Sequence, residues 1–436
     1  MNKISRIFSP YSLLIIGVFI EYFPAYFNKV KPSVNIGPVS LYIADISFIF
    51  LCIYVFFRFF ARKNRLSSSG RHEGRGIQII FALFIAFSFF KWLLQSNHDI
   101  TSIRMLVKYA TAYAFLFFIP MLVTRKADLR YLHHLLIIFL VYIFVLHIYA
   151  FATQGFSSHI LTGGFLTMLS LLYFLAVSRN HVLASSSTAA FFVKALVIMT
   201  FIMVGHRSGF IGILLGLIAL FFFNKTSAVK EATALMVVVV VGAGAAMILS
   251  PSLLPKLFER ASTTFDSSQE TYQLRYDQIF VITRIAMEEN PVIGKPLQSE
   301  AIERKRVTRA TGGTFSTRDE LVIAPHNLLL EWLYYYGSIG LLLGLTLVFV
   351  AARFIKRFLA ENKSDIQNYQ IGVAVLCCMA HNLFFALSNV TVLSSFATFF
   401  LYFPLSILVA ISRNKKNFSR QEPPILTAAL QCQKRS

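Results

Sequence analysis

Residues 208–224 read SGFIGILLGLIALFFFN, an apolar run without a charged side chain. A transmembrane helix needs about 20 mostly apolar residues, because roughly 30 Å of hydrocarbon is crossed at about 1.5 Å per residue. The sequence therefore predicts an all-α polytopic membrane protein. Its predicted transmembrane helices number about twelve and lie near residues 10–27, 38–60, 77–95, 103–124, 130–152, 160–178, 189–206, 208–224, 232–250, 326–353, 367–388 and 392–412.

The composition of the whole chain agrees with a membrane protein. Hydrophobic residues make up 56% of the 436 residues and charged residues 14%, where a soluble domain carries roughly 25% charged residues. The net charge is +21, but the basic residues lie between the apolar runs rather than on one tail. This distribution indicates the basic bias of cytoplasmic loops and argues against a nucleic-acid partner.

Loop charges predict the orientation. Lysine and arginine concentrate in the short loops 61–76 and 125–130 and in the tail after residue 412, and they are absent from 96–102, 153–159 and 388–391. By the positive-inside rule, both termini are cytoplasmic. The predicted units are an N-terminal bundle of about nine helices over 1–250, a large periplasmic loop over 251–325, C-terminal helices over 326–412 and a cytoplasmic tail over 413–436.

The 251–325 loop is expected to be ordered and functional. It holds ten basic and ten acidic residues, half of all the acids in the chain. A helix is predicted over 269–289, because Ser267-x-x-Glu270 forms a capping box and Asn290-Pro291 ends the pattern.

Three ionisable residues are candidates for chemistry, since charges at membrane depth tend to be functional. Arg207 lies between two predicted spans at their outer end; the alternative is an arginine that snorkels to headgroups. Arg275 lies on the predicted loop helix; the alternative is a solvated face. His326 follows Pro325, a residue suited to the first helical position, so it is predicted in the first turn. There the helix dipole favours the neutral imidazole that a general base needs; the alternative is a capping histidine.

The predicted topology places all three residues on the outer side of the membrane. Arginine pairs with phosphate oxygens in bidentate fashion, and an imidazole can accept a hydroxyl proton. The combination indicates transfer of a group from a phosphate or diphosphate leaving group.

Further candidates carry less information. Arg104 and Lys108 are one helical turn apart at the start of a span, where snorkelling explains them equally well; Asn327 and Arg284 are additional candidates for substrate binding. His381-Asn382 lies inside the eleventh span as a polar pair or a packing hydrogen bond. Gly212-x-x-x-Gly216 and Gly340-x-x-x-Gly344 are typical of close helix packing, and Trp332 with Tyr334–Tyr336 is typical of an interfacial aromatic belt.

Two of these motifs resemble a known family. His326-Asn327, nine residues, then Gly337-x-x-Gly340 is similar to the periplasmic motif of O-antigen ligases. The same region also resembles Wzy-type O-antigen polymerases. These polymerases have one arginine near a short Arg-Ser-Gly turn, which is at Arg207 here, and a second arginine in the loop helix before a Pro-x-x-Gly motif, which is Pro291 to Gly294 here. The resemblance covers about residues 190 to 345.

The resemblance implies a glycosyltransferase of the GT-C-like membrane class in a bacterial inner membrane, using no metal and no cofactor. Such enzymes pass a glycan, with inversion, from undecaprenyl diphosphate to an acceptor hydroxyl on lipid A core (ligases) or on a lipid-linked repeat unit (polymerases). By the family pattern, His326 is the base, and Arg207 and Arg275 hold the diphosphate.

Alternatives within and outside the family remain open. The histidine spacing and the single large loop favour a ligase, and an O-antigen or exopolysaccharide polymerase is the alternative. A lipid-glycan transporter without catalysis is a third interpretation, although transporters tend to show repeated halves and no internal repeat is visible here.

Overall fold

The chain is helical almost throughout its described part. The computed structural model describes residues 33–36, 39–42, 53, 74–95, 102–103, 106, 110, 113–114, 116, 119–154, 164–178, 187–204, 207–249, 279–280, 282–288, 290–295, 327–388 and 395–419. Two strands form an antiparallel hairpin, β1 (Ser33–Ile36) and β2 (Val39–Tyr42), in which Ile36 pairs with Val39.

The helices follow the predicted apolar runs. They are α1 (Arg75–Leu93), α2 (Lys126–Gln154), α3 (Gly164–Val177), α4 (Ser187–Val204), α5 (Arg207–Phe221), α6 (Lys225–Leu249), α7 (Leu328–Glu361), α8 (Ile366–Leu387), α9 (Ser395–Arg413) and the short α10 (Lys415–Ser419). Every predicted span from residue 130 onward overlaps one helix. Residues 282–288 are also helical, as predicted for the described part of the 269–289 helix.

Four helices within the described residues are long and apolar enough to cross a membrane: Arg75–Leu93, Lys126–Ile148, Leu328–Glu361 and Ile366–Leu387. The apolar segments Leu166–Val177, Ser187–Phe201, Ser208–Phe221 and Leu401–Arg413 are shorter. The structure therefore confirms a helical membrane protein, and the total of about twelve spans stays a prediction, as do the domain boundaries and the sidedness.

The predicted second span, 38–60, is wrong at its beginning. Val39–Tyr42 pair with Ser33–Ile36 as a strand, so the helix cannot start at residue 38. The run Val39-Ser40-Leu41-Tyr42 is apolar enough to match a span by hydropathy, but its alternating pattern also suits a strand, and the second strand supplies its hydrogen bonds.

Helix α8 is the centre of the bundle. It packs against α3, α5, α7 and α9, so helices from both sides of the predicted loop pack together. The α5–α8 contact is close because a Cβ atom at Gly212 would lie 2.6 Å from the His381 ring and one at Gly216 would lie 2.9 Å from the Cys377 carbonyl oxygen. The predicted close-packing role of Gly212-x-x-x-Gly216 is confirmed.

A partly buried ion pair connects α4 and α6. The Lys194 ammonium lies 2.7 and 2.8 Å from the two carboxylate oxygens of Glu231. Lys194 lies in the middle of α4 and Glu231 in the first third of α6, so the pair connects these two helices.

Replacing Glu231 with glutamine is expected to lower the free energy of unfolding by roughly 3 kcal/mol, because one charge of a largely buried pair loses its partner. Glu361, which pairs with Arg357 on an exposed helix face, is the matched control, and Glu361→Gln should cost less than about 0.5 kcal/mol. Denaturant unfolding in detergent measures both. Equal losses would mean that the Lys194–Glu231 pair is no stronger than a surface pair.

Candidate functional site

The structure gives positions for only some of the predicted site residues. Asn327 precedes α7, Arg207 is the first residue of α5, and Arg284 lies in the 282–288 helix. The remaining four candidates lie outside the described residues: Arg104, Lys108, Arg275 and His326. Their roles stay predictions.

Asn327 is the N-cap of α7 and also links α7 to α8. Its side-chain oxygen accepts hydrogen bonds from the backbone N–H groups of Leu329 (2.9 Å) and Leu330 (3.3 Å). Its side-chain nitrogen donates to the carbonyl oxygen of Leu387, at the end of α8, over 3.1 Å. One amide therefore satisfies backbone groups at the ends of two helices, which would otherwise lack partners.

The predicted start of this helix is wrong by a few residues. The helix begins at Leu328, so Pro325 does not occupy its first position and His326 precedes the N-cap. An asparagine that accepts two N–H groups defines the helix start more strongly than an upstream proline.

Arg207 and Asn327 lie at the same end of the bundle. Helices α5 and α8 are antiparallel, because Gly212 faces His381 and Gly216 faces Cys377. Extended by one more turn, this register puts the backbone of Arg207 level with the last turn of α8, which Asn327 contacts through Leu387. Two residues that the sequence separates by more than a hundred positions thus mark one end of the helix bundle.

Helix α7 is broken at Gly337. This residue has φ 65° and ψ −162°, a conformation that is essentially restricted to glycine. The Trp332 indole before the break lies against Gly344 after it, so the segment Leu328–Tyr336 folds back along the segment Ser338–Glu361. Gly344 therefore contacts a residue of its own helix, α7, whereas the spacing of the motif predicted contact between two separate helices.

A turn of the large loop fills this break. The N–H groups of Ser338 and Ile339 donate to the carbonyl oxygens of Pro291 (2.8 Å) and Val292 (3.2 Å). In the other direction, the Lys295 N–H donates to the Tyr334 carbonyl oxygen over 2.8 Å. The loop turn therefore supplies partners to both helix ends that the break exposes, as buried helix ends require.

Two glycines make this contact sterically feasible. Gly294 also has a positive φ, 73°. A Cβ atom at Gly294 would lie 2.6 Å from the Tyr336 nitrogen, and one at Gly337 would lie 2.6 Å from the Gly294 nitrogen. The Pro291-x-x-Gly294 and Gly337-x-x-Gly340 motifs, noted separately in the sequence, therefore meet backbone to backbone.

The predicted aromatic belt is wrong. Trp332 and Tyr334–Tyr336 are all buried, because the folded-back segment of α7 places them inside the bundle. The Tyr336 ring makes an edge contact with Phe84 of α1 at 5.9 Å between centroids, and the Ser88 hydroxyl donates to the Tyr336 hydroxyl over 3.4 Å. These rings hold α7 against α1.

Three buried charged residues accompany the break, and sequence reasoning did not single them out. Lys91 is 2% exposed, Lys295 1% and Glu331 0%. The Lys91 ammonium lies 5.3 Å from the centre of the Tyr336 ring, within cation–π range. The sequence signal for these residues is an ionisable side chain inside or next to an apolar run.

Arg284 is directed to solvent. Its side chain is 74% exposed and lies 2.8 Å from the Glu288 carboxylate one turn later. The hydrogen bond and charge of Glu288 raise the pKa of Arg284. Arg284 is thus a surface residue of the loop helix that precedes the docked turn.

His381 and Asn382 belong to a packing network. The Asn382 side chain accepts from Ser170 of α3 (3.0 Å) and donates to the Leu401 carbonyl oxygen of α9 (3.1 Å), and it lies 3.0 Å from the His381 ring nitrogen Nδ1. These bonds connect three helices in the buried core. Of the two interpretations of this pair, helix packing accounts for the contacts.

Replacing Asn327 with alanine is expected to reduce the free energy of unfolding by roughly 1–2 kcal/mol, since an N-cap and one interhelical hydrogen bond are lost. Asn327→Asp keeps the capping oxygen but cannot donate to Leu387, so it should recover only part of this loss. Thermal unfolding in detergent measures the stability of both variants. An Asn327→Ala protein as stable as the wild type would contradict the capping role.

Within the described residues, no group of three His, Cys, Asp or Glu side chains is placed to hold a metal ion. No protein-family model and no curated protein matches this chain. The family resemblance therefore depends on the residues quoted above.

Proposed function

We propose that this protein is a periplasmic-face glycosyltransferase of the O-antigen ligase type in a bacterial inner membrane. It moves a glycan from undecaprenyl diphosphate to a hydroxyl group of the lipid A core. The observation that carries the proposal is the docking of the Pro291–Lys295 turn into the break of α7 at Gly337. It joins the two parts of the chain that carry the family-like motifs.

The docked turn connects the chain segments next to two of the predicted catalytic residues. The predicted base, His326, precedes the Asn327 cap in the chain, and the predicted phosphate ligand Arg275 precedes the 282–288 helix and its docked turn. The turn binds the same helix that Asn327 begins. The backbone of Arg207 reaches the same end of the bundle through the α5–α8 packing.

The proposed reaction is a single inverting displacement. The acceptor oxygen forms a bond to the anomeric carbon as the bond from that carbon to the diphosphate oxygen breaks, and the hydroxyl proton passes to His326. Arg207 and Arg275 neutralise the charge that develops on the departing diphosphate. Holding donor and acceptor together can supply roughly 7–11 kcal/mol of the barrier reduction.

A transporter is the second candidate function, because broken helices also occur in transporters, where free helix ends bind substrates and ions. At Gly337, however, the loop carbonyl oxygens already occupy the N–H groups of Ser338 and Ile339. Because these N–H groups are already bonded, the break has a structural role and lacks the free helix end that a transporter would use. This favours the transferase over the transporter.

The deciding experiment offers purified protein a synthetic undecaprenyl-diphosphate glycan with one of two acceptors, lipid A core or a second lipid-linked repeat. Glycan on the lipid A core supports the ligase. Lengthened lipid-linked glycans would instead identify a polymerase. If neither acceptor is modified and labelled lipid-glycan crosses vesicle membranes, the protein is a transporter and the glycosyltransferase proposal is wrong.

Arg207→Ala is expected to abolish transfer, and Arg207→Lys to restore little of it, because a lysine cannot make the two parallel hydrogen bonds of a guanidinium. Steady-state transfer rates at saturating and limiting donor measure this. Arg357, which is exposed and paired with Glu361, is the control, and Arg357→Lys should keep the wild-type rate. Full rescue by Arg207→Lys would mean that the position needs only a positive charge.

A further inference from the structure

Three arginines on three helices meet at the end of the bundle opposite the candidate site. Helix α1 begins between α7 and α9. A Cβ atom at Gly74 would lie 2.8 Å from a methyl carbon of Val409 on α9. A Cβ atom at Gly76 would lie 3.2 Å from a methyl carbon of Val350 on α7. Arg75, the residue between these two glycines, therefore lies where the three helices come together.

Both neighbouring helices run antiparallel to α1. Further along α1, the Phe81 ring lies 5.8 Å from the Tyr402 ring of α9, measured between centroids. The Ser88 hydroxyl contacts the Tyr336 hydroxyl of α7. Both contacts are with earlier residues of α9 and α7 than the valines beside the start of α1. The C-terminal ends of α7 and α9 therefore lie beside the N-terminal end of α1.

Arg353 and Arg413 extend from these C-terminal ends. Arg353 follows Val350 by three residues, and Arg413 follows Val409 by four. Each arginine thus stands on the helix face that meets α1, about one turn or roughly 5 Å beyond its valine. Arg353 and Arg75 are exposed, and Arg413 is partly buried. Guanidinium groups from three helices can therefore reach one anion.

The acids that follow Arg353 along the chain are committed to other partners. Glu361 pairs with Arg357, and Asp365 caps α8 through its side chain. Residues 61–76, which lead into α1, carry five basic side chains and one acid. This end of the bundle therefore has an excess of positive charge that suits an anionic partner.

Two of the arginines also stand at the end of exposed apolar stripes. From Arg75 along α1, and from Arg353 backward along α7, exposed apolar side chains recur every four residues, which keeps them on the face of the arginine. They are Ile79 and Leu83 on α1, and Leu345 and Phe349 on α7. A charged group followed by hydrocarbon along the helix matches the shape of a phospholipid, whereas a free phosphate ion would need only the arginines.

We propose that Arg75, Arg353 and Arg413 bind the phosphate of an anionic phospholipid of the phosphatidylglycerol class, with its acyl chains along the exposed stripes of α1 and α7. Arginine forms bidentate hydrogen bonds with phosphate oxygens, and basic pockets between transmembrane helices suit anionic lipid headgroups. The bound lipid holds the ends of three helices together. This inference does not depend on the proposed glycan transfer.

Native mass spectrometry of the full chain in detergent, titrated with phosphatidylglycerol or phosphatidylcholine, measures the two affinities. Phosphatidylcholine carries a phosphate but no net charge. The wild type is expected to bind one phosphatidylglycerol about tenfold more tightly, the effect of one charge-assisted hydrogen bond. Arg353→Gln and Arg413→Gln should each remove most of this preference. Lys230→Gln, which removes an exposed charge from α6, is the control and should keep it. Equal affinities in the wild type, or an equal effect of Lys230→Gln, would overturn the proposal.

Thermal unfolding distinguishes loss of the site from loss of the fold. Phosphatidylglycerol should raise the unfolding temperature of the wild type, because a ligand that binds only the folded state stabilises it. The same lipid should leave Arg353→Gln unchanged. Since Arg353 is exposed, this variant should unfold at the wild-type temperature without added lipid. Inorganic phosphate that displaces phosphatidylglycerol, or reproduces the rise in unfolding temperature at equal concentration, would mean that the arginines bind free phosphate and would overturn the lipid assignment.

Discussion

His326→Ala is expected to reduce the rate of glycan transfer by about 10²–10⁴-fold, the contribution that a positioned general base typically makes. The reason is that the acceptor hydroxyl would have to attack while still holding its proton. The measurement is the turnover of a synthetic lipid-diphosphate glycan at saturating acceptor. His326→Ala should keep the thermal unfolding temperature of the wild type, because Asn327 rather than His326 caps α7.

His134→Ala is the matched control for this loss. His134 is an exposed histidine on α2, and its replacement should leave the transfer rate unchanged. Near-normal transfer by His326→Ala would remove the assignment of this residue as the base. A parallel loss of unfolding temperature and activity would identify a structural histidine instead.

Gly337→Ala is expected to destabilise the protein strongly. Its φ of 65° and ψ of −162° are essentially closed to alanine, and the new methyl group would lie against the backbone of Val292 and Gly294. Strain and the loss of the loop-turn hydrogen bonds should cost roughly 3 kcal/mol or more. Transfer should fall with them, since the turn connects the loop to α7.

The readouts for Gly337→Ala are thermal unfolding in detergent and limited proteolysis of the 251–325 region. Gly294→Ala should reproduce the effect from the other side of the contact. Gly244→Ala on α6 is the control, because a Cβ atom there meets nothing within 4 Å; alanine should be neutral or stabilising there. A Gly337→Ala protein with wild-type stability and loop protection would refute the docking of the turn.

The break in α7 ties residues 291–295 of the predicted loop to the helix bundle. A helix interrupted inside a packed bundle exposes backbone groups whose desolvation is expensive. Pro291, Val292 and Lys295 provide the missing partners through their own backbone. Part of the predicted loop is therefore structurally a component of the helix bundle, and its attachment does not depend on side-chain chemistry.

Hydropathy alone determined the class of this protein and most of its helix positions, because burial in lipid requires continuous apolar segments whose length the bilayer sets. The same criterion failed at Val39–Tyr42, where the alternating run Val-Ser-Leu-Tyr suits a strand as well as a helix. It also misplaced the start of α7, where the Asn327 cap determines the boundary.

The relations among distant residues were decided only by the tertiary structure. The sequence contains Gly294 and Gly337 as separate motifs, but their contact depends on two unusual backbone conformations that occur together. Likewise, hydropathy predicts that Trp332 and Tyr334–Tyr336 lie at an interface, and the fold-back at Gly337 buries them. Local sequence patterns indicate whether a segment is buried in lipid or exposed to water. Contacts between distant residues depend on how the helices pack against one another, and local patterns do not specify that packing.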